Sequence, residues 1–189
     1  DVGPLDPFAP VGYAVNNLGV PGAKAAHLLF PGYAALNPYF GRFASSPTAT
    51  VVGDALAQSP TFFTLWIGNN DALGYATSGG VGDTLTGQMW FAGYMDALLQ
   101  TMTSGGAKGA IANIPDISSI AFFNTVPPNG YVITQDQADT LNKYLGPLGF
   151  SYQAGPNYFA IQDPTSPIGF RQMVDGELLL LTVPQDSLK

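Results

Sequence analysis

Residues 62–71, Phe-Phe-Thr-Leu-Trp-Ile-Gly-Asn-Asn-Asp, pass abruptly from an apolar run to a polar loop, and this is the strongest constraint in the chain. Six β-prone residues halted by Gly68 predict a buried strand. The polar residues then fall at its carboxyl end, where open α/β sheets hold their ligands. Any site in this chain is therefore expected around Asn70.

The surrounding segments support that placement. Residues 84–103 predict the longest helix, with Leu85, Met89, Ala92, Met95, Leu98, Leu99 and Met102 along one face and Gly105-Gly106 as its stop. Residues 108–114, Lys-Gly-Ala-Ile-Ala-Asn-Ile, predict a second buried strand, and strand, helix, strand is the signature of a parallel crossover. Between the first strand and that helix, Gly74, Gly79, Gly80 and Gly82 predict an irregular rim. Upstream, residues 1–12 read as an extended loop, Tyr13 to Asn16 as a short strand and Gly22 to Phe30 as a helix halted before Pro31. The aromatic residues from Phe30 to Phe43 recur at spacings of three and four, which favours packing in a core over a sugar-stacking platform. Thr134-Gln135-Asp136-Gln137 is a capping box opening a helix that runs to about Leu145. The last third changes to short β-like runs with an Asp175-Gly176 turn, predicting a small antiparallel insertion over about residues 150–183.

Composition narrows the function classes. A net charge of −7, with six scattered cations, argues against a nucleic-acid partner, which requires a cationic face. Cysteine is absent, so there is neither a disulfide framework nor a thiolate metal site. No apolar run approaches the length of a membrane span. Hydrophobic residues make up 46% of the 189, enough for one domain with a sizeable core.

Two short motifs carry chemistry. Asn17-Leu18-Gly19-Val20-Pro21-Gly22 precedes a helix, and Gly68-Asn69-Asn70-Asp71 follows a strand. Acyl transfer needs donors aimed at the oxyanion of a tetrahedral intermediate. The backbone N–H of Gly22 and the side-chain amide of Asn70 suit that task, because glycine lets a substrate approach its backbone closely. In this order, each after a β run, the two motifs resemble the second and third sequence blocks of the SGNH hydrolases, the GDSL-type esterases and lipases. The stretch within residues 62–80, Leu-Trp-Ile-Gly-Asn-Asn-Asp-Ala-Leu-Gly-Tyr-Ala-Thr-Ser-Gly-Gly, is similar to an exported, Bacteroidetes-type branch of that family. The resemblance implies a three-layer α/β/α domain with a mostly parallel sheet. It implies ester cleavage through a serine nucleophile, with Gly22 and Asn70 as oxyanion donors and Asn17, Gly19, Gly68 and Asp71 shaping their loops. It also implies a periplasmic or cell-surface location, a small-molecule or glycan-linked ester as substrate, and no cofactor.

The family's Gly-Asp-Ser block would lie upstream of Asn17, and no serine occurs among residues 1–16. Its Asp-x-x-His block would lie near the end of the chain, yet the one histidine is His27. Ser187, in Gln185-Asp186-Ser187-Leu188, follows an apolar run as a nucleophile would, but Gln185 replaces the glycine and no helix can follow. His27 has no carboxylate or second histidine at catalytic or ligand spacing, so a structural role and no metal are expected. The chain thus reads as the middle of such a hydrolase, a partial domain with little turnover by itself. The alternative is a non-catalytic domain on the same fold that binds glycans or a cell-envelope partner through its glycine- and aromatic-rich loops.

Overall fold

The computed structural model describes residue 11 and residues 15–183, which form a mixed α/β protein in two compact units, 1–117 and 118–189. Of the strand expected at Tyr13 to Asn16, the first two residues lie outside the described residues and the other two are not in a strand; the serine at 187 and most of the expected N-terminal loop also lie outside them.

In the first unit a 3₁₀ turn at Ala25–Leu29 leads into two single-turn helices, α1 (Tyr33–Leu36) and α2 (Pro38–Gly41), and then α3 (Val51–Ala57). Asn37 caps α2 by accepting from the N–H groups of Tyr39 and Phe40, and Thr50 caps α3 by accepting from Gly53. Strand β1 (Phe62–Leu65) passes directly into α4 (Asn69–Thr77); α5 (Gln88–Thr103) then returns the chain to β2 (Lys108–Ile111). The two strands pair in parallel, Phe62 with Lys108 through Leu65 with Ile111.

One face of this pair builds the core. Phe63, Leu65 and Ile67 pack against Leu28, Val51, Val52, Leu98 and Met102, so α3, α5 and the 3₁₀ turn all contribute to the same hydrophobic cluster. Tyr33 and Phe40 complete it, their rings 6.0 Å apart. The aromatic run from Phe30 to Phe43 therefore supplies core residues, while Phe30 and Tyr39 remain exposed. The opposite face is bare: Phe62 is 59% and Trp66 66% exposed, and all of β2 is exposed.

Several expectations are corrected here. The mixed α/β class is as expected, and of the expected parallel sheet the described residues of the first unit hold two strands. Neither strand is buried on both faces. The residues after Asp71 form a helix in place of a loop, because Gly74 does not break it. A Cβ at Gly74 would lie 1.9 Å from an Asp83 carboxylate oxygen, so this glycine makes room for a neighbouring loop. Helix α5 starts at Gln88, later than expected, and Met89 is exposed. Residues just before it are held elsewhere: the Thr86 N–H donates to the Asp71 carbonyl at 3.1 Å.

The second unit holds a 3₁₀ turn at Ile117–Ser119, whose first residue ends the first unit, then α6 (Ala121–Asn124), β3 (Tyr131–Ile133), α7 (Gln135–Leu145) and a 3₁₀ turn at Gly146–Leu148. Thr134 and Gln137 form the capping box of α7, and Ile133, Ala138, Phe150 and Tyr152 make a small core. Strand β4 (Gly155–Asn157) runs antiparallel to β3, and β5 (Ala160–Gln162) pairs antiparallel with β6 (Phe170–Gln172). The hairpin turn lies at residues 163–169, not at Asp175-Gly176. Arg171 fixes it from within, its Nε donating to Asp163 at 2.6 Å and its Nη2 to Glu177 at 2.5 Å. Asp175 instead accepts from the Tyr158 hydroxyl, at 2.5 Å.

Candidate functional site

The site is built where β1 ends. Gly68 has φ +112°, a left-handed conformation that turns the strand into α4 within one residue. A Cβ there would stand 2.5 Å from Ile114 Cδ1 and 2.8 Å from Phe91 Cζ, so the conformation favours glycine and a larger residue would have to displace the ends of these two side chains. The turn delivers Asn69, Asn70 and Asp71 as the first three residues of α4.

These residues are tied to the segment carrying the other motif. The Asn70 amide Nδ2 donates to the Ala23 carbonyl at 3.0 Å. Asp71, only 4% exposed, accepts the Ala25 N–H through Oδ2 at 2.8 Å. Two adjacent residues of one motif thus hold the backbone on either side of Lys24, just after Gly22. An amide carries two N–H bonds, so Asn70 keeps one beyond that given to Ala23.

The second motif is shaped by its own polar residues. Asn17 Oδ1 accepts the Gly19 N–H at 3.0 Å, an Asx turn. Val20 accepts from Ala23 across a turn in which Gly22 takes φ +77°. A Cβ at Gly22 would meet nothing within 4 Å, and its N–H has no acceptor among the described residues. The structure therefore brings Gly22 and Asn70 into one neighbourhood, with Asn17, Gly19, Gly68 and Asp71 determining the backbone around them.

Among the described residues His27 takes no part in a dyad. Its Nδ1 accepts the Lys24 N–H at 3.1 Å and its ring stacks on Tyr33, centroids 4.6 Å apart. Desolvation and the nearby Lys24 charge lower its pKa against the opposing pull of Asp71, favouring the neutral ring that this bond requires. No group of three or more His, Asp or Glu side chains converges to hold a metal among the described residues.

Two residues not singled out from the sequence border the site. Lys24 Nζ bonds both carboxylate oxygens of Asp83, at 2.9 and 3.1 Å, and the Thr84 carbonyl at 3.3 Å. This clasps the glycine-rich loop to the turn after Gly22, and the Lys24 bond holds the Asp83 carboxyl below its ordinary range. The only hint in the sequence is an isolated lysine beside the motif, because the partner lies 59 residues away. Asn69, which the sequence does not set apart from its neighbours, has a buried Oδ1 without a donor among the described residues.

A cavity of about 1070 Å³ opens beside the site. Residues 61–70 line one side of it and residues 16–20 another, with Val51, Val52, Leu98 and Met102 as an apolar floor. No helix among the described residues is long and apolar enough to cross a membrane. No family model, no curated protein and no solved structure matches this chain.

Proposed function

We propose that this chain carries the oxyanion-binding half of a serine ester hydrolase, built on a three-layer α/β/α domain of the SGNH type and working outside the cytoplasm. The observation that carries the reading is the 3.0 Å bond from the Asn70 amide to Ala23, which joins two motifs 47 residues apart at the end of a strand. In this reading a serine from outside the described residues attacks the ester carbonyl and a histidine takes its proton. The N–H of Gly22 and the free amide hydrogen of Asn70 receive the charge on the oxygen. His27 is not that histidine, since its Nδ1 is engaged by the backbone.

The test uses the parent polypeptide with a short-chain nitrophenyl ester and a fluorophosphonate label. The parent should hydrolyse the ester, and Asn70→Ala should slow turnover by about 100- to 1000-fold, the usual cost of one oxyanion donor. The 189-residue chain alone should show little turnover. A parent that neither takes the label nor cleaves any ester overturns the reading and leaves a binding domain on this fold.

A further inference from the structure

The turn that carries Gly22 is pinned along its length. Val20 accepts the Ala23 N–H at 3.2 Å, Lys24 donates its N–H to His27 Nδ1, and Ala25 donates to Asp71. The Ala23 carbonyl takes the Asn70 amide, and the Lys24 carbonyl takes the His27 N–H at 2.9 Å. A further bond arrives from the cap of α2: Asn37 Nδ2 donates to the Pro21 carbonyl at 3.0 Å. Every peptide unit from Val20 to Ala25 therefore has at least one polar group fixed, while the Gly22 N–H has no acceptor among the described residues.

The Pro21 carbonyl and the Gly22 N–H belong to one peptide unit. That unit is planar and trans, so its C=O and N–H point in opposite directions and fixing one aims the other. Asn37 is itself set in place. Its Oδ1 accepts the N–H groups of Tyr39 at 2.9 Å and Phe40 at 3.3 Å, which identifies that end as the oxygen and leaves the amide nitrogen facing Pro21. The other hydrogen of that nitrogen goes to the Tyr33 hydroxyl at 2.8 Å, and Tyr33 is buried and stacked on His27. Both amide hydrogens are thus committed, and Asn37 has none to offer a substrate. A carbonyl that accepts a hydrogen bond also polarises its peptide, which strengthens the N–H across it as a donor. We propose that Asn37 is a positioning residue for the Gly22 N–H, aiming and strengthening it as an oxyanion donor. The catalytic consequence rests on the ester-hydrolysis reading; the aim of the N–H does not.

The experiment has two arms. In the isotope-labelled 189-residue protein, NMR should detect a scalar coupling across the hydrogen bond from Asn37 Nδ2 to the Pro21 carbonyl carbon. Asn37→Asp and Asn37→Ser both keep an oxygen that caps α2, but Asp has no N–H to give Pro21 and Ser does not reach it. In both variants the Gly22 amide resonance should move further than those of Tyr39 and Phe40, whose N–H groups keep an acceptor. In the parent polypeptide the same variants should lower kcat for the nitrophenyl ester by about 10- to 100-fold with KM little changed, because the donor is displaced and binding of the ground state is not. A merely structural role would not produce that split. Three results would overturn the proposal: no coupling in the unmodified protein, a Gly22 resonance that stays in place in Asn37→Asp, or an ester-cleaving parent whose kcat the variants leave unchanged. The coupling is read on unmodified protein, so a folding defect in a variant does not blunt the test. A parent that cleaves no ester sinks the hydrolase reading and the catalytic consequence with it, whereas the coupling and the Gly22 shift still decide whether Asn37 aims the N–H.

Discussion

Asp71 shows how much of this site rests on a single buried carboxylate. One oxygen receives the Ala25 N–H at 2.8 Å; the other is buried without a partner. Asp71→Ala leaves the Ala25 N–H unpaired and should cost about 1–3 kcal/mol, read as a lower urea midpoint at unchanged slope. Asp71→Asn should retain most of that stability, since its amide oxygen still accepts the same N–H. The polar motif Gly-Asn-Asn-Asp announces itself in the sequence because it interrupts an apolar run. What each of its residues bonds to is not legible there, because the partners lie 46 and 47 residues away and are backbone atoms, which carry no sequence signature. His27 shows the same limit. The sequence reveals that no carboxylate stands at catalytic spacing from it, but not that its ring turns back to accept from Lys24.

At the scale of elements, the junction of β1 and α4 depends on glycine in two separate ways, and a comparison with Gly22 isolates them. Gly22 has φ +77° with open space around a would-be Cβ, so Gly22→Ala should cost only the left-handed strain of about 1–2 kcal/mol. Gly68→Ala adds a collision with Ile114 and Phe91, worth about 1–3 kcal/mol more. Thermal unfolding of the two variants should therefore place Gly68→Ala clearly below Gly22→Ala. Where local chemistry decides, elements were readable: the Thr134 and Gln137 capping box marks the start of α7, and the apolar runs mark β1 and β2. Where a tertiary contact decides, they were not. Gly74 reads as a helix breaker yet sits inside α4, because the neighbouring residue it accommodates, Asp83, enters from another loop. The Asp175-Gly176 pair reads as a hairpin, but the hairpin forms earlier, where Arg171 bridges Asp163 and Glu177.

Across the whole molecule, acid acts on the two units at different pH. In the first unit the folded pKa of His27 lies below its ordinary value of 6.5. Its neutral ring thus contributes stability that is complete above 6.5 and is lost as pH falls through the folded value, because the unfolded chain takes the proton first. In the second unit, bonds from Thr165 and then Arg171 hold the Asp163 carboxyl down to about 2, and Arg171 likewise lowers Glu177. Each carboxylate contributes stability that is complete above its ordinary value, 3.8 for Asp163; the share of Asp163 is lost as pH falls towards 2, and that of Glu177 as pH falls through its own lowered value. Amide protection followed by NMR should weaken around His27 in mild acid, and along β5 and β6 only below about pH 4. Uniform loss at one pH would contradict this separation.

The parallel register also sets a delay during synthesis. Each residue of β1 pairs with one 46 positions further along, as Phe62 does with Lys108. At ribosomal speeds of about 5–20 residues per second, β1 is complete roughly 2 to 9 s before its partner exists. Through that interval the run from Phe62 to Ile67 has both edges open, and it is apolar enough to template pairing with another nascent chain. The ladder that organises the finished first unit is thus among the last of its contacts that translation allows.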